Sequence, residues 1–578
     1  MGRSTALFLL ASLLVGFFAS ASVARAESYE WQRTHRLLAH EGLELDPAPE
    51  GKQIAWVRIV RDDVFVEDEI WPTWFNIFHC RTRDEVIRRE LLFEAGNALA
   101  DVRLEESMRN LRGMGIFALV RIVAVRVQDN GKVGVVVHTR DLWSLRIEQD
   151  FNITTQINTL LVRLTERNLA GRQKSIGGDF LLVPKTYSLR EFYYDRRVWG
   201  MPVSLSQSAT VIFNREHGDA EGSVWSAALG KPYFNLKQRY DYAVSGSYST
   251  SIARRLLNGD LDVYPAQGDV RAYRAWREES KSVGISGSIR RGERYKQTFG
   301  AGFSYRELDA FAIRETELPS ALAEDFERDV LPRQRREIGP SVNYDIFIPT
   351  FHIFENLGTF GQSENVRVGP YTNLTVRAPL RMFGSSTNSW VLANGLGFVL
   401  APAGGLVDAG IWSGTRYEES ALVDQWTTSR LRGATPVFAK LRLVSSTTLE
   451  LRRNDTTQTL VALGANNGLR GYPSQSIYGY GADKLLQNLE IRTLPIAWQA
   501  VHVGGVLFAD VGSVFDRWRE MQLHYAVGVG LRVFFPQFNR YPFSLDGGAG
   551  LDPPFRFTPT VTGGQIVPLT ATEDALGN

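Results

Sequence analysis

NNGLRGYPSQ, from Asn466 to Gln475, decides how this chain is read. Arg470, Gly471 and Tyr472 sit between two long regions of alternating apolar and polar residues, so they belong to a loop. Downstream, KLLQNLEIRTL (Lys484 to Leu494) puts Leu485, Leu489 and Ile491 on one face of a strand. Asn488, Glu490 and Arg492 fall on the other. In AVHVGGVLFADVG (Ala500 to Gly512), Asp510 shares a face with His502 and Gly504. In a membrane barrel, a loop arginine has two destinations: out into water, or back down the lumen as a latch on Glu490 and Asp510. An unpaired charge in a partly dry lumen is costly, so pairing is the expected state.

The flanking regions support a barrel. YDYAVSGSYS (Tyr240 to Ser249), TFGAGFSYR (Thr298 to Arg306), VSLSQSATVIFN (Val203 to Asn214) and LHYAVGVGLRVFF (Leu523 to Phe535) all alternate with period two. Their polar faces are small and hydroxyl-rich, which suits a wet lumen. Segments of about ten residues match a tilted membrane-crossing strand, whereas sandwich strands run to about 5–6 residues. The expected fold is mainly β: an antiparallel transmembrane β-barrel preceded by a small α+β domain. Counting candidates gives about 15 to 18 strands. Residues 307–337, with a helical stretch around PSALAEDFERDV, and residues 404–432 read as loops on the outer side.

Arg3, the apolar run Ala6 to Phe18 and Ala24-Arg25-Ala26 read as a secretory signal (1–26), cleaved near Ala26. Residues 27–50, with Pro47 and Pro49, read as a tether. The formal charge of +2 belongs to Arg3 and Arg25 in the signal, so nothing suggests nucleic acid. The lone Cys80 excludes an internal disulfide, and His79 beside it is too little for a metal site. The residues offer no nucleophile elbow, zinc spacing or phosphate loop, so no catalytic residue, cofactor or enzymatic activity is expected. GVGLR at Gly528 lies inside an alternating strand, where its glycines read as lumen or seam positions.

Residues 51–143 form a separate unit. Gln53 to Val60 reads as a strand; Thr82 and Glu85 read as a capping box for a helix ending near Gly96. Asp101 starts a second helix that stops at Gly113. Phe117 to Gln128 and Lys132 to Arg140 read as strands joined at Asn130-Gly131.

LRGY, followed by N-x-E-x-R at Asn488 to Arg492 and F-x-D-x-G at Phe508 to Gly512, resembles the BamA/TamA-type outer-membrane assembly superfamily, the bacterial surface-antigen barrels. GNAL at Gly96 and ESMRNLRGMGIF (Glu105 to Phe117) resemble one POTRA domain. ERNLAG resembles the family's register motif, through Glu166, Asn168 and Gly171. The resemblance implies 16 strands over residues 144–578 and an outer-membrane location with the POTRA domain in the periplasm. It also implies a weak seam between the first and last strands. The first strand is expected within Leu145 to Ile153, with Leu145 and Ile147 at the seam; the last is expected in FRFTPTVTGGQIV, with Phe555, Phe557 and Pro559. The partners implied are outer-membrane lipids, unfolded barrel or exported client polypeptides, and periplasmic proteins that meet the POTRA domain. The alternatives are a passive or substrate-selective pore, a two-partner secretion transporter and a lipid-transport barrel. A two-partner transporter normally carries a plug helix and two POTRA domains.

Overall fold

The computed structural model describes residues 29–66, 71–127, 131–153, 157–257, 260–264, 272–313, 320–457, 459–498, 501–539, 541–553, 556–563 and 565–569. The signal segment, Asn130, Phe555 and the final TATEDALGN lie outside them.

The tether is replaced by a helix, α1 (Tyr29–His40). Trp31, Thr34 and Leu38 recur at helical spacing and form the stripe that the polar composition hides. Leu38 packs on Val123, Val125 and Val136. These belong to a three-stranded sheet of β1 (Gln53–Asp62), β2 (Phe117–Arg126) and β3 (Lys132–Asp141), in the order β1-β3-β2. The two helices expected from the sequence, α2 (Asp84–Arg88) and α3 (Asp101–Gly113), lie on the opposite face. There Ile87, Leu104 and Leu111 pack with Val133, Val135 and Val137. Alternate residues of β3 thus serve two cores, one on each face. Both sheet edges carry short covers: Glu44 to Asp46 bond to β2, and Asn97 to Leu99 bond to the chain at Lys52 and Ile54.

Two local expectations need correction. Helix α2 ends at Arg88, well short of Gly96, and Phe93 drops into the core beyond it. No capping box forms: the N-cap is Arg83, without a side-chain bond. Thr82 instead uses its hydroxyl to accept a bond from Asn168 Nδ2 and its N–H to bond Asp141.

The rest closes into an antiparallel barrel. Among the described residues, twenty-two strand segments make the ring, and two of them continue a neighbour across a proline break, at Pro349 and at Pro495. About twenty strands therefore form the wall, not sixteen. Much of the shortfall lies in residues 404–432, expected as loop, which form the hairpin Leu406–Glu418 and Ala421–Ala434. The helix expected in PSALAEDFERDV is present as Ser320–Val330, which packs Phe326 on Tyr264 and Trp276.

Side chains sort by face as the alternation requires. Val244, Val283, Ile285, Leu396, Leu507 and Val529 point outward and are exposed. Inside, hydroxyl rungs bridge strands, as in Ser208–Ser226 at 3.0 Å and Ser247–Ser282 at 2.8 Å. A continuous exposed apolar wall of this kind suits lipid rather than water. No described helix is long and apolar enough to cross a membrane.

Replacing Leu38 with Ala should cost the small domain about 2–4 kcal/mol by opening a cavity under the sheet. Hydrogen exchange on the full-length protein in micelles should then speed up in β2 and β3 and stay unchanged in the barrel wall.

Candidate functional site

Arg470 is fully buried inside the barrel. Its loop leaves the end of the barrel opposite the small domain after the strand Leu441–Arg453 and descends the lumen. The guanidinium makes a two-pronged bond to Asp510, Nε to Oδ2 at 2.7 Å and Nη2 to Oδ1 at 2.8 Å. Nη1 donates to Glu490 at 2.6 Å and to Asp546 at 3.2 Å. The flat cation also lies 3.6 Å over the Phe508 ring.

Strand pairing assembles these acceptors. Asn488 is directly opposite Asp510 in the register and donates to it at 2.8 Å. Glu490 is held a second time by Arg492 at 2.7 Å, and Asp546 by Arg532 at 2.5 Å. Arg470, Arg492 and Arg532 thus face Glu490, Asp510 and Asp546, three cations against three anions, so the buried cluster is neutral. Gly528, opposite Phe508, leaves room for that ring, which is why GVGLR carries glycine on its inner face.

The loop tip is seated as closely as its arginine. Gly471 has φ +86°, and a Cβ there would stand 2.8 Å from the backbone at Ala549 and Gly550. Its carbonyl accepts from Gly550 N–H at 3.1 Å. Tyr472 donates to the Asp552 carboxylate at 2.9 Å, and Tyr525 O lies 3.0 Å from the same hydroxyl. Phe508 opens the F-x-D-x-G stretch and Arg532 lies on the polar face of LHYAVGVGLRVFF, though neither reads there as a latch partner, whereas Asp546 and Asp552 are not singled out from the sequence. Asp546 carries the one signal that could have done so, an acid in the inward phase of FSLDGGAG.

Glu166, Asn168 and Gly171 form the joint between barrel and small domain. They sit at the turn after β5 (Ile157–Glu166), the partner of β4 (Leu145–Ile153). Asn168 Nδ2 donates to Thr82 Oγ1 at 2.9 Å and to the Cys80 carbonyl at 3.3 Å. Glu166 accepts from Ser144 at 2.9 Å and from Asn168 N–H at 2.8 Å. Gly171 has φ +70°, and a Cβ there would strike the Arg81 carbonyl. Next to this joint, Arg196 and Arg197 grip Glu90 of the small domain.

The ring closes between β4 and the last strand, Arg556–Gly563. Among the described residues, only two pairs join them, Thr560 with Asn152 and Val561 with Phe151. Each of these strands shares eight or nine pairs with its other neighbour. Leu145 to Gln149 pair on one side only, with β5, among those same residues. Leu145 and Ile147 are exposed on the outer face, as is Phe557, and Pro559 is opposite Gly547. The last strand ends at Gly563 rather than Val567, and beyond it Val567 and Leu569 are buried.

The arrangement is a closed antiparallel barrel with an internal latch and a thin seam. No family model and no curated protein matches the chain. Solved structures that resemble it distantly include the following three. BamA from Haemophilus ducreyi lacking POTRA domains 1–3 is 13% identical, with 96% of this chain and 97% of that one covered and a TM-score of 0.37. CdiB from Acinetobacter baumannii is 11% identical, covering 98% and 88%, with a TM-score of 0.40. CdiB from Escherichia coli is 12% identical, covering 90% and 80%, with a TM-score of 0.41.

Replacing Arg470 with Ala would leave Glu490, Asp510 and Asp546 facing one another, at a cost of about 3–5 kcal/mol. The heat-induced shift of the folded barrel on a semi-native gel should move to lower temperature. Arg470→Lys should recover little of it, because an ammonium cannot serve three acceptors with a planar fork.

Proposed function

We propose that the protein is an outer-membrane barrel that assists the insertion, assembly or translocation of client polypeptides, with its first and last strands as the working edge. The observation that carries this reading is the seam, where two residue pairs join the first and last strands among the described residues, against eight or nine between each of them and its other neighbour. An unpaired strand edge is a template for a further strand. A client strand that added to β4 would enter the hydrocarbon with its polar backbone already bonded, which is the main obstacle to inserting a strand into lipid.

On this reading the small domain is a POTRA domain at the periplasmic mouth, and the leader is removed near Ala26. The edges of its sheet are partly covered, so periplasmic partners would meet the remaining lengths of β1 and β2. A passive pore suits the interior poorly, because the Arg470 loop and the residues around Leu357 both lie in the lumen. A plug helix is likewise not a role for α1, which packs on the domain sheet.

The test is a disulfide across the seam, from Phe151→Cys with Val561→Cys in a Cys80→Ser background. The bond should form readily in the intact protein, stop client assembly in reconstituted membranes and release it again on reduction. Full activity of the crosslinked form would mean that the seam is a static part of the wall.

A further inference from the structure

The last described residues, Gln565 to Leu569, return into the barrel and lie across its inner wall. Three arginines on separate strands receive them. Arg532 Nε donates to the Gln565 side-chain carbonyl at 2.9 Å. Arg492 Nη2 donates to the Val567 carbonyl at 2.6 Å, and Arg432 Nη1 to the Pro568 carbonyl at 3.0 Å. Between these bonds, Val567 and Leu569 bury their side chains against Phe354, Leu357, Leu406 and Val444.

The charge state of this cradle says what it binds. Each arginine is already matched to a carboxylate: Arg532 to Asp546, Arg492 to Glu490 and Arg432 to Asp408. The donors left over face no uncompensated positive charge, so they suit neutral carbonyls rather than an anion. Two of the three acceptors are main-chain atoms, which any residue supplies. The selective element is the pair of apolar side chains two residues apart.

We propose that this inner-wall cradle is a binding site for a short apolar peptide segment of another chain, and that the protein's own tail is its resting occupant. A tethered occupant competes at an effective concentration in the millimolar range. A visiting segment therefore displaces it only when the visitor is itself concentrated at the barrel, as a delivered client is. The site does not depend on the seam opening, so it can be tested by binding alone.

The first experiment uses the full chain with Cys80→Ser and Leu569→Cys in detergent micelles, read by maleimide labelling. Labelling should be slow at rest. A synthetic peptide TGGQIVPLT, the sequence of residues 562–570, should accelerate it at least tenfold, and the same peptide with Asp in place of its Val and Leu should not. Fast labelling at rest would overturn the proposal, because the tail would not be seated. Slow labelling unmoved by saturating peptide would also overturn it, because the tail would be permanent core. Equal acceleration by the Asp-bearing peptide would remove the apolar selectivity. A second measurement does not depend on that thiol. The Val567→Asp, Leu569→Asp double variant, shown to be folded by its heat-modified gel shift, should bind fluorescein-labelled TGGQIVPLT at least tenfold more tightly than the unaltered chain. Equal affinity would sink the idea.

Discussion

A strand in hydrocarbon must give its backbone hydrogen bonds to neighbours on both sides, so a membrane sheet has to close on itself. Here, among the described residues, the closing joint is two residue pairs long, and the first half of β4 pairs on one side only. The wall alone does not explain a single well-defined shape. The bracing comes from inside, where Arg470 ties its loop to three of four successive strands through Glu490, Asp510 and Asp546, and Arg532 on the strand between the last two holds Asp546 as well. Buried ion pairs add little net stability over apolar packing, but each has one geometry. The cluster fixes where the loop sits, and the loop fixes the spacing of the strands nearest the seam.

The two ends of the barrel are held differently. At the end that carries the small domain, Asn168 and Gly171 dock on the chain around Thr82 while Arg196 and Arg197 hold Glu90. Glu30 of α1 accepts from both Arg112 and Ser363, so the helix touches domain and barrel through one carboxylate. At the far end, Tyr480 bonds Asp262 at 2.6 Å and joins the base of the Arg470 loop to the loop after Tyr240–Arg254, from well round the ring. Proline breaks at Pro349 and Pro495 interrupt two strands towards the domain end, where a missing backbone donor is tolerated.

What could be read in the sequence depended on how strongly lipid and lumen contrast. Between Lys484 and Leu494 the pleat alternates Ile491 outward with Glu490 and Arg492 inward, and single residues were placed correctly from the pattern. The same contrast misleads where the inner face is charged. In the hairpin 406–434, Asp408, Arg416 and Arg432 are inward, buried and paired, yet in sequence they look like a solvated loop. Its turn gives no glycine signal either, because Glu419 and Ser420 adopt the left-handed conformation themselves. Helix α1 was missed because its buried stripe is short, and the partners of Leu38 lie more than eighty residues away. Glu490 and Asp510 follow Arg470 within two strands, whereas Asp546 and Arg532 share their inward phase but nothing local says that their strands bring them to the same cluster. The tail's inward path has no local signal at all beyond Gly563-Gly564.

A ring resists stretching only as well as its shortest joint. Lateral tension in the surrounding bilayer is shared equally around the circumference, so every joint in the wall carries the same load. The joint at Val561 and Phe151, two pairs long among the described residues, would therefore yield before any other. Mechanical stress then produces one defined tear line beside β4 instead of general loss of structure.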